Sequence, residues 1–509
     1  MHLHLTRLSS FASRRPAILG LLLLVGSIVA AESVPADVLI ENVTIVSPER
    51  SQPLARQSVL IREGRITQIS SKPIAVSGTT LRVNGTGRFL TPGLMDSHVH
   101  VSTPVGLPME GTQPALQPLI DAYNRQQPRS YLYFGVTQLL DLAAFSSGIE
   151  TFAAQPRHPD LFRCGYTMPL DGYPSVFVDR PQRYSVMPDY IYEPANKEKH
   201  PMPAGVDPAS HTPEAIVDRI AVSGARCVKV FIEDGFGDQS DWPLLSRESL
   251  QRLRAAATKR GLLLIAHANA LDMQRIALDA KVDVIAHGLW NWGTARGKPG
   301  VPPEIAAHLN RIHKSGTGYQ PTLRVLAGTA DLFRADTLED PTYKKVVPPA
   351  LLDWYGTEAG QWFKRSMKHD YGDLPDPKIA SLELQVGELG MRAARYLHDL
   401  GHPLLLGSDT PSAPTYGNQP GYDTYREMRL MATAGVPLLD VFRAGTINNA
   451  RQFGLERDYG TVAPGKIANL LLLTEDPLQS VRAWSRIDKV ILHGEVIERE
   501  SLAADFNKP

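Results

Sequence analysis

The chain has 509 residues, with Lys+Arg and Asp+Glu both at 53 and a formal net charge of +0. Hydrophobic residues at 43% and charged residues at 21% suit a globular protein with a large core. The charge balance argues against a nucleic-acid binder, which carries a basic excess, and two cysteines cannot build a disulfide framework or a cysteine-rich zinc site.

Arg7, Arg14 and Arg15 precede an apolar run at residues 17–29 that ends in Ala30-Ala31. A charged start, a short apolar middle and a small-residue end predict a secretory signal peptide over residues 1–31. The run falls short of the roughly 20 residues that span a bilayer; an uncleaved anchor is the competing reading. Ser13-Arg14-Arg15 loosely resembles a twin-arginine signal. The mature protein is expected to be exported, periplasmic or secreted, with no stable membrane anchor after cleavage. Removal of residues 1–31 takes away three arginines and no acid, leaving a mildly acidic chain. An oxidising compartment would allow a Cys164–Cys227 bridge; two buried free thiols are the expectation.

Both ends of the mature chain read as β-structure. Residues 37–46 suggest a bent strand or strand pair, 58–69 a hairpin turning at Glu63-Gly64, and 80–83 a further strand. Residues 470–474 and 490–497, the latter turning at Gly494, look alike. Each end is too small for its own core, so residues 32–92 and 453–509 are expected to form one discontinuous β-sandwich.

Between them, eight apolar segments alternate with helical patterns. They lie at residues 89–95, 136–140, 161–164, 227–232, 262–266, 282–286, 318–323 and 403–408. Helical runs at 246–259, 272–280 and 383–400 separate several of them. The fold class predicted is therefore α/β, a (β/α)8 TIM barrel over residues 93–452 with the small composite β-sandwich. Two insertions, 170–212 and 325–382, follow strands and should sit at the active-site mouth.

Four histidines end apolar strands: His98 and His100 in Asp96-Ser-His-Val-His100, then His267 and His287. Residues i and i+2 of a strand point the same way, so His98 and His100 can face the barrel axis and chelate one metal. His267 and His287 lie one β-α repeat apart, on neighbouring strands. Four such histidines at one barrel mouth favour a metal centre over four satisfied core histidines. Lys229 sits inside the apolar strand 227–232. An ammonium has no lone pair for a metal, whereas a lysine carboxylated by CO2 would present two oxygens to two cations. A Lys229 reaching out of the barrel is equally compatible with the sequence. Asp409 follows the last strand, where it could act as general base and acid beside a metal or as a helix N-cap.

These residues together resemble the amidohydrolase superfamily, metal-dependent hydrolases with a (β/α)8 barrel and a composite β-sandwich. Leu90-Thr-Pro-Gly-Leu-Met-Asp-Ser-His-Val-His100 is similar to its strand-one signature. Gly460-Thr-Val-Ala-Pro-Gly-Lys-Ile-Ala-Asn469 resembles its re-entry into the sandwich, with Asn469 where Asp is usual. Thr446-Ile-Asn-Asn-Ala-Arg451 resembles the preceding helix, and Ala225-Arg-Cys-Val-Lys229 the strand-four segment of the imidazolonepropionase-like and Xaa-Pro dipeptidase (prolidase) branch. Two further departures stand out. Leu170-Asp-Gly-Tyr173 replaces a Gly-Gly-His of relatives, and Ala270 stands where deaminases carry Glu.

The resemblance implies His98, His100, Lys229, His267 and His287 as metal ligands, and Asp409 as ligand and proton shuttle. It implies two divalent ions, Zn2+ first with Mn2+ or Co2+ as alternatives, bridged by N6-carboxylated Lys229. The expected reaction is hydrolysis of a C–N bond in a small substrate such as a dipeptide or N-acyl amino acid. A lactonase or phosphoester hydrolase is the runner-up, and a non-catalytic barrel relative the third reading. Tyr173, Trp290, Tyr319 and Arg324 lie at or near strand ends and are candidate substrate contacts. The expected partner is a small molecule or short peptide, with no nucleic acid; a homo-oligomer is an open expectation.

Overall fold

In a computed structural model, residues 37–108, 114–143, 146–236 and 241–505 are described; the expected signal peptide lies outside them. Five strands open this part: β1 (Val38–Ile45), β2 (Leu54–Arg62), β3 (Arg65–Ser70), β4 (Leu81–Asn84) and β5 (Phe89–Pro92). The expected bent strand is β1, whose pairing with β2 shifts register at Ile40/Val43 and Val43/Ile45. The expected hairpin is β2–β3. Its turn places Glu63 and Gly64 at φ 49° and 71°, the left-handed pair that matches strand twist.

The barrel follows: β6 (Leu94–Val99), β7 (Val136–Asp141), β8 (Asp160–Pro169), the short β9 (Tyr190–Ile191), β10 (Cys227–Phe231), β11 (Leu263–His267), β12 (Val284–Ala286) and β13 (Gly318–Gln320). β6, β7, β8, β10, β11, β12 and β13 pair in that order, all parallel, with β9 beside β8. The eighth position is held by extended chain at 404–410. There Leu405 N donates to Tyr319 O at 3.0 Å, Ser97 N to Leu406 O at 3.0 Å, and His100 N to Thr410 O at 2.9 Å. Those bonds join the segment to both β13 and β6 and close the ring. Asn449, after a π-helical turn at Ala444–Asn448, braces the seam from outside. Its Nδ2 donates to Met95 O and Leu406 O.

The sequence segment 89–95 divides between two sheets. β5 pairs with the end sheet and β6 with the barrel, and Gly93 is the break. A Cβ there would lie 1.9 Å from Thr137 Oγ1, so only glycine lets the chain pass this close to β7.

The chain's end returns as β14 (Leu470–Leu473), β15 (Ile487–Leu492) and β16 (Glu495–Glu498). The second sheet runs β16-β15-β14-β5-β1-β2-β3, with β4 on β1. It curls so that Ile66 N donates to Lys466 O. Ile40, Val43 and Ile66 from one chain end pack with Leu470, Leu472 and Ile491 from the other. Neither end could bury these side chains alone.

Alternation along the barrel strands decides what faces the interior. Val228 and Val230 join the outer core beneath the helices, while Cys227 packs inside with Ile265, Val284 and Leu405. Lys229 therefore shares the inner face with Cys227. Cys164 and Cys227 are register partners on β8 and β10 and form a disulfide, Cα–Cα 4.4 Å, in place of the expected free thiols. Insertion 325–382 is helical and latches onto the loop after β6, with Tyr355 Oη donating to Val105 O at 2.7 Å and Trp362 Nε1 to Gly106 O at 2.9 Å. Among the described residues, no helix is long and apolar enough to cross a membrane.

Candidate metal centre

The C-terminal ends of the strands gather the predicted residues. Asp409 Oδ1 lies 3.0 Å from His98 Nε2 and 2.8 Å from His100 Nε2, and Asp409 Oδ2 lies 3.7 Å from His287 Nδ1. His98, His100 and Asp409 offer one ligand atom each within 4.8 Å of one another. The His287 ring centroid is 4.9 Å from that of His98 and 4.4 Å from that of His267. The i, i+2 histidines of strand one thus meet the carboxylate of the closing segment, and the strand-five and strand-six histidines stand beside them. Lys229 is buried, and Asp409, His98, His267 and His287 all feel its charge. It points into the barrel, which excludes the outward alternative.

The donor set fits a cation. His98 Nδ1 is buried with no hydrogen-bond partner, and His98 Nε2, His267 Nε2 and Glu233 Oε2 are buried with close contacts to Asp409 or to each other that miss hydrogen-bond geometry. Buried polar atoms left open in this way are costly, and a metal would satisfy them. Burial pushes His98 down to about 3, helped by Lys229 and His100. It holds His267 and His287 well below the ordinary histidine value. All three are then neutral, the form that ligates. Burial alone would raise Asp409, but the imidazoles of His98, His100 and His287 outweigh it and keep the carboxylate ionised. Burial lowers Lys229 to about 7, against the opposing pull of Asp409.

Backbone strain marks the same place. His287, Thr322 and Asp409 are non-glycine residues at φ 103°, 42° and 57°, conformations that cost on the order of 1–3 kcal/mol each. His287 Nδ1 lies 3.2 Å from Thr322 Oγ1. Asp409 N donates to His98 O at 2.7 Å, which holds the strained carboxylate over strand one.

Three carboxylates were not anticipated. Glu233, four residues after Lys229, puts Oε2 at 3.4 Å from His267 Nε2, and burial raises it to about 8. Asp141 ends β7, accepts from Val101 N and Ala143 N, and lies 4.0 Å from His100 Nδ1. Asp96 accepts from His98 N and Ser408 N. Glu233 and Asp141 are charges at the end of apolar strands, the signal that singles out Asp409.

The four proposed substrate contacts divide evenly. The Tyr173 ring lies 4.7 Å from His267, and the Trp290 ring 5.4 Å from His287. Tyr319 and Arg324 are corrections. Tyr319 is fully buried in the outer core, with its hydroxyl accepting from Leu289 N at 2.7 Å. Arg324 is buried in ion pairs with Asp331 and Asp423 and a bond to Gly417 O. Neither is free to meet a substrate.

The barrel thus carries at its mouth a His-His-Asp group that could hold a metal ion. Residues 374–497 match the model of the amidohydrolase family. Adenine deaminase of Ruegeria pomeroyi is 35% identical over 83 residues, 16% of this chain and 14% of that protein. Urease subunit alpha 1 of Streptomyces avermitilis is 23% identical over 459 residues, 86% of this chain and 65% of that one. The chain thus spans less than two thirds of either relative. The crystal structure of a Xaa-Pro dipeptidase with bound methionine superposes with a TM-score of 0.61 at 19% identity, covering 91% of this chain and 100% of that one. The family match is confined to residues 374–497, while the likeness in fold to the solved dipeptidase extends over nearly the whole chain.

Proposed function

We propose that this protein is an exported, metal-dependent amidohydrolase that cleaves a C–N bond in a small substrate such as a dipeptide or N-acyl amino acid. The carrying observation is the convergence of His98, His100 and Asp409, with His267, His287 and Lys229 beside them. A carboxylate with two imidazoles at hydrogen-bond distance and open nitrogens around it suits cation binding better than core packing. The Xaa-Pro dipeptidase likeness in fold supports a small peptide-like substrate. Export is supported by the charged and apolar N-terminus and by the Cys164–Cys227 disulfide, which an oxidising compartment sustains.

His98, His100 and Asp409 would hold one cation, and His267 and His287 a second, with Zn2+ the metal proposed. Such cations supply hydroxide near neutral pH and polarise a carbonyl. Lys229, lowered to about 7, is unprotonated often enough to add to CO2. Its nitrogen would bond to the carbon of CO2 with loss of a proton, giving an anionic carbamate that could serve as an oxygen ligand. Asp409 would take the proton of the attacking water and deliver it to the leaving nitrogen, a role worth about 10²–10⁴ in rate.

Metal analysis together with hydrolysis assays tests the reading. We expect two divalent ions per chain and an Asp409→Asn variant slowed by at least about 10²-fold. A metal-free parent that stays metal-free on loading would sink it. Lys229→Ala should lose metal and regain part of it with added short carboxylic acids. Unchanged metal content in that variant would remove the bridge from the scheme.

A further inference from the structure

The loops after β8 and β10 carry a group of aromatic rings that metal binding does not require. Tyr173 and Trp242 lie parallel, with centroids 5.7 Å apart and planes 9° from each other. Phe177 and Phe236 each stand edge-on to both, at 5.2–5.9 Å and 80–88°. Phe231 joins Tyr173 from below at 5.6 Å. The group is continuous with the candidate metal centre, since the Tyr173 and Phe231 rings lie 4.7 and 5.6 Å from His267.

Phe177 is 62% and Phe236 40% exposed. Among the described residues they are the exposed large aromatics, and both belong to this one cluster. Isolated exposed apolar residues mean little, whereas a contiguous apolar patch beside a site marks a binding surface. The edge-to-face contacts are the geometry aromatic pairs prefer. Trp242 N donates to Asp234 O at 3.0 Å, which ties the residue that carries the indole to the chain just after β10. The rings are therefore held in place and still leave apolar surface to solvent.

We propose that this collar is the specificity subsite of the enzyme, receiving an aromatic or bulky apolar side chain of the substrate on the His267 side of the centre. The inference rests on the hydrolase reading for its substrate class and on the rings for its selectivity. A planar apolar group laid on Phe177, Phe236 and Trp242 would bury surface that is now wet. A small or charged group would gain nothing there.

Two measurements separate the collar from the hydrolase reading. The first compares kcat/KM of the zinc-loaded protein on Phe-Ala, Ala-Phe and Ala-Ala dipeptides and on N-acetyl-phenylalanine against N-acetyl-alanine. At least one phenylalanine substrate should exceed its alanine counterpart about tenfold or more, as apolar pocket discrimination allows. In Trp242→Ala and Phe236→Ala, that ratio should fall to within about threefold. Equal rates in the parent, or ratios unchanged in both variants, would overturn the subsite. The second measurement needs no turnover. The hydroxamates of phenylalanine and alanine share a metal-binding head, so the collar predicts about tenfold tighter binding of the phenyl compound. If the parent cleaves none of the amides but keeps that difference, the hydrolase reading fails and the collar stands. Equal binding of the two hydroxamates refutes the collar.

Discussion

Asp96 offers a sharp test of how the site is held, because its carboxylate ties three elements together inside the barrel wall. Oδ1 accepts from His98 N at 3.2 Å and from Ser408 N at 3.0 Å, and Oδ2 accepts from Thr424 Oγ1 at 2.6 Å. β6, the closing segment and the helix Tyr422–Thr433 therefore meet on one side chain. Asp96→Ala would strand two backbone N–H groups and a hydroxyl. A buried donor without a partner costs about 1–3 kcal/mol. With partial relaxation, the loss should total about 3–5 kcal/mol. Asp96→Asn keeps an acceptor oxygen for both N–H groups and turns its amide toward Thr424, whose hydroxyl can accept instead. That variant should lose only about 1 kcal/mol. His98 hangs on this bond, so if His98 holds the proposed cation, Asp96→Ala should also weaken added zinc by about 10–100-fold, as loss of a ligand's support does. Urea unfolding of chelator-treated protein and zinc titration against a chromophoric competitor give both quantities. Equal losses in Ala and Asn would refute the reasoning, because it depends on the retained acceptor rather than on charge.

The Cys164–Cys227 disulfide joins residues 63 apart in sequence. Closing a loop of that size removes about 4 kcal/mol of unfolded-state entropy, so reductant or Cys164→Ala/Cys227→Ala should lower the urea midpoint substantially; an unmoved midpoint would show that the bond contributes nothing. His493 Nε2 lies 2.7 Å from Asp160 Oδ1, and that bond raises the histidine's pKa. A raised folded value contributes stability that is complete below the unfolded value, about 6.5, and is lost as pH rises through the folded one. The pair is half-exposed, so the effect is small. His493→Ala should lose more at about pH 5.5 than at about pH 8.5, and a loss independent of pH would exclude the charge interaction.

The barrel was legible because its strands are short apolar runs that end in charge or imidazole. Such runs cannot sit anywhere but in a wall covered on both faces. The same grammar carried His98, His100, His267, His287 and Asp409 to one mouth. Glu233 and Asp141 obey it too, each following directly on an apolar run. What stayed hidden depends on partners far away in sequence. Arg324 reads as an open guanidinium at a strand end until Asp423 and Gly417 fold over it. Cys164 and Cys227 read as two thiols until the parallel register sets them opposite each other.

Asn469 shows how a departure from the family pattern becomes intelligible once the partners are known. Its Nδ2 donates to Asp160 Oδ2 at 2.7 Å, while its Oδ1 accepts from His493 N at 2.8 Å. Asp160 also receives Tyr459 Oη at 3.0 Å and His493 Nε2 at 2.7 Å. An aspartate at 469 could still accept from His493 N, but it would set a second carboxylate against Asp160 with no proton to donate. The amide is what this junction of barrel and end sheet requires. The residue that departs from the family's pattern therefore belongs to the coupling between the two sheets, which fixes where β5 hands the chain to β6 and so where His98 and His100 emerge.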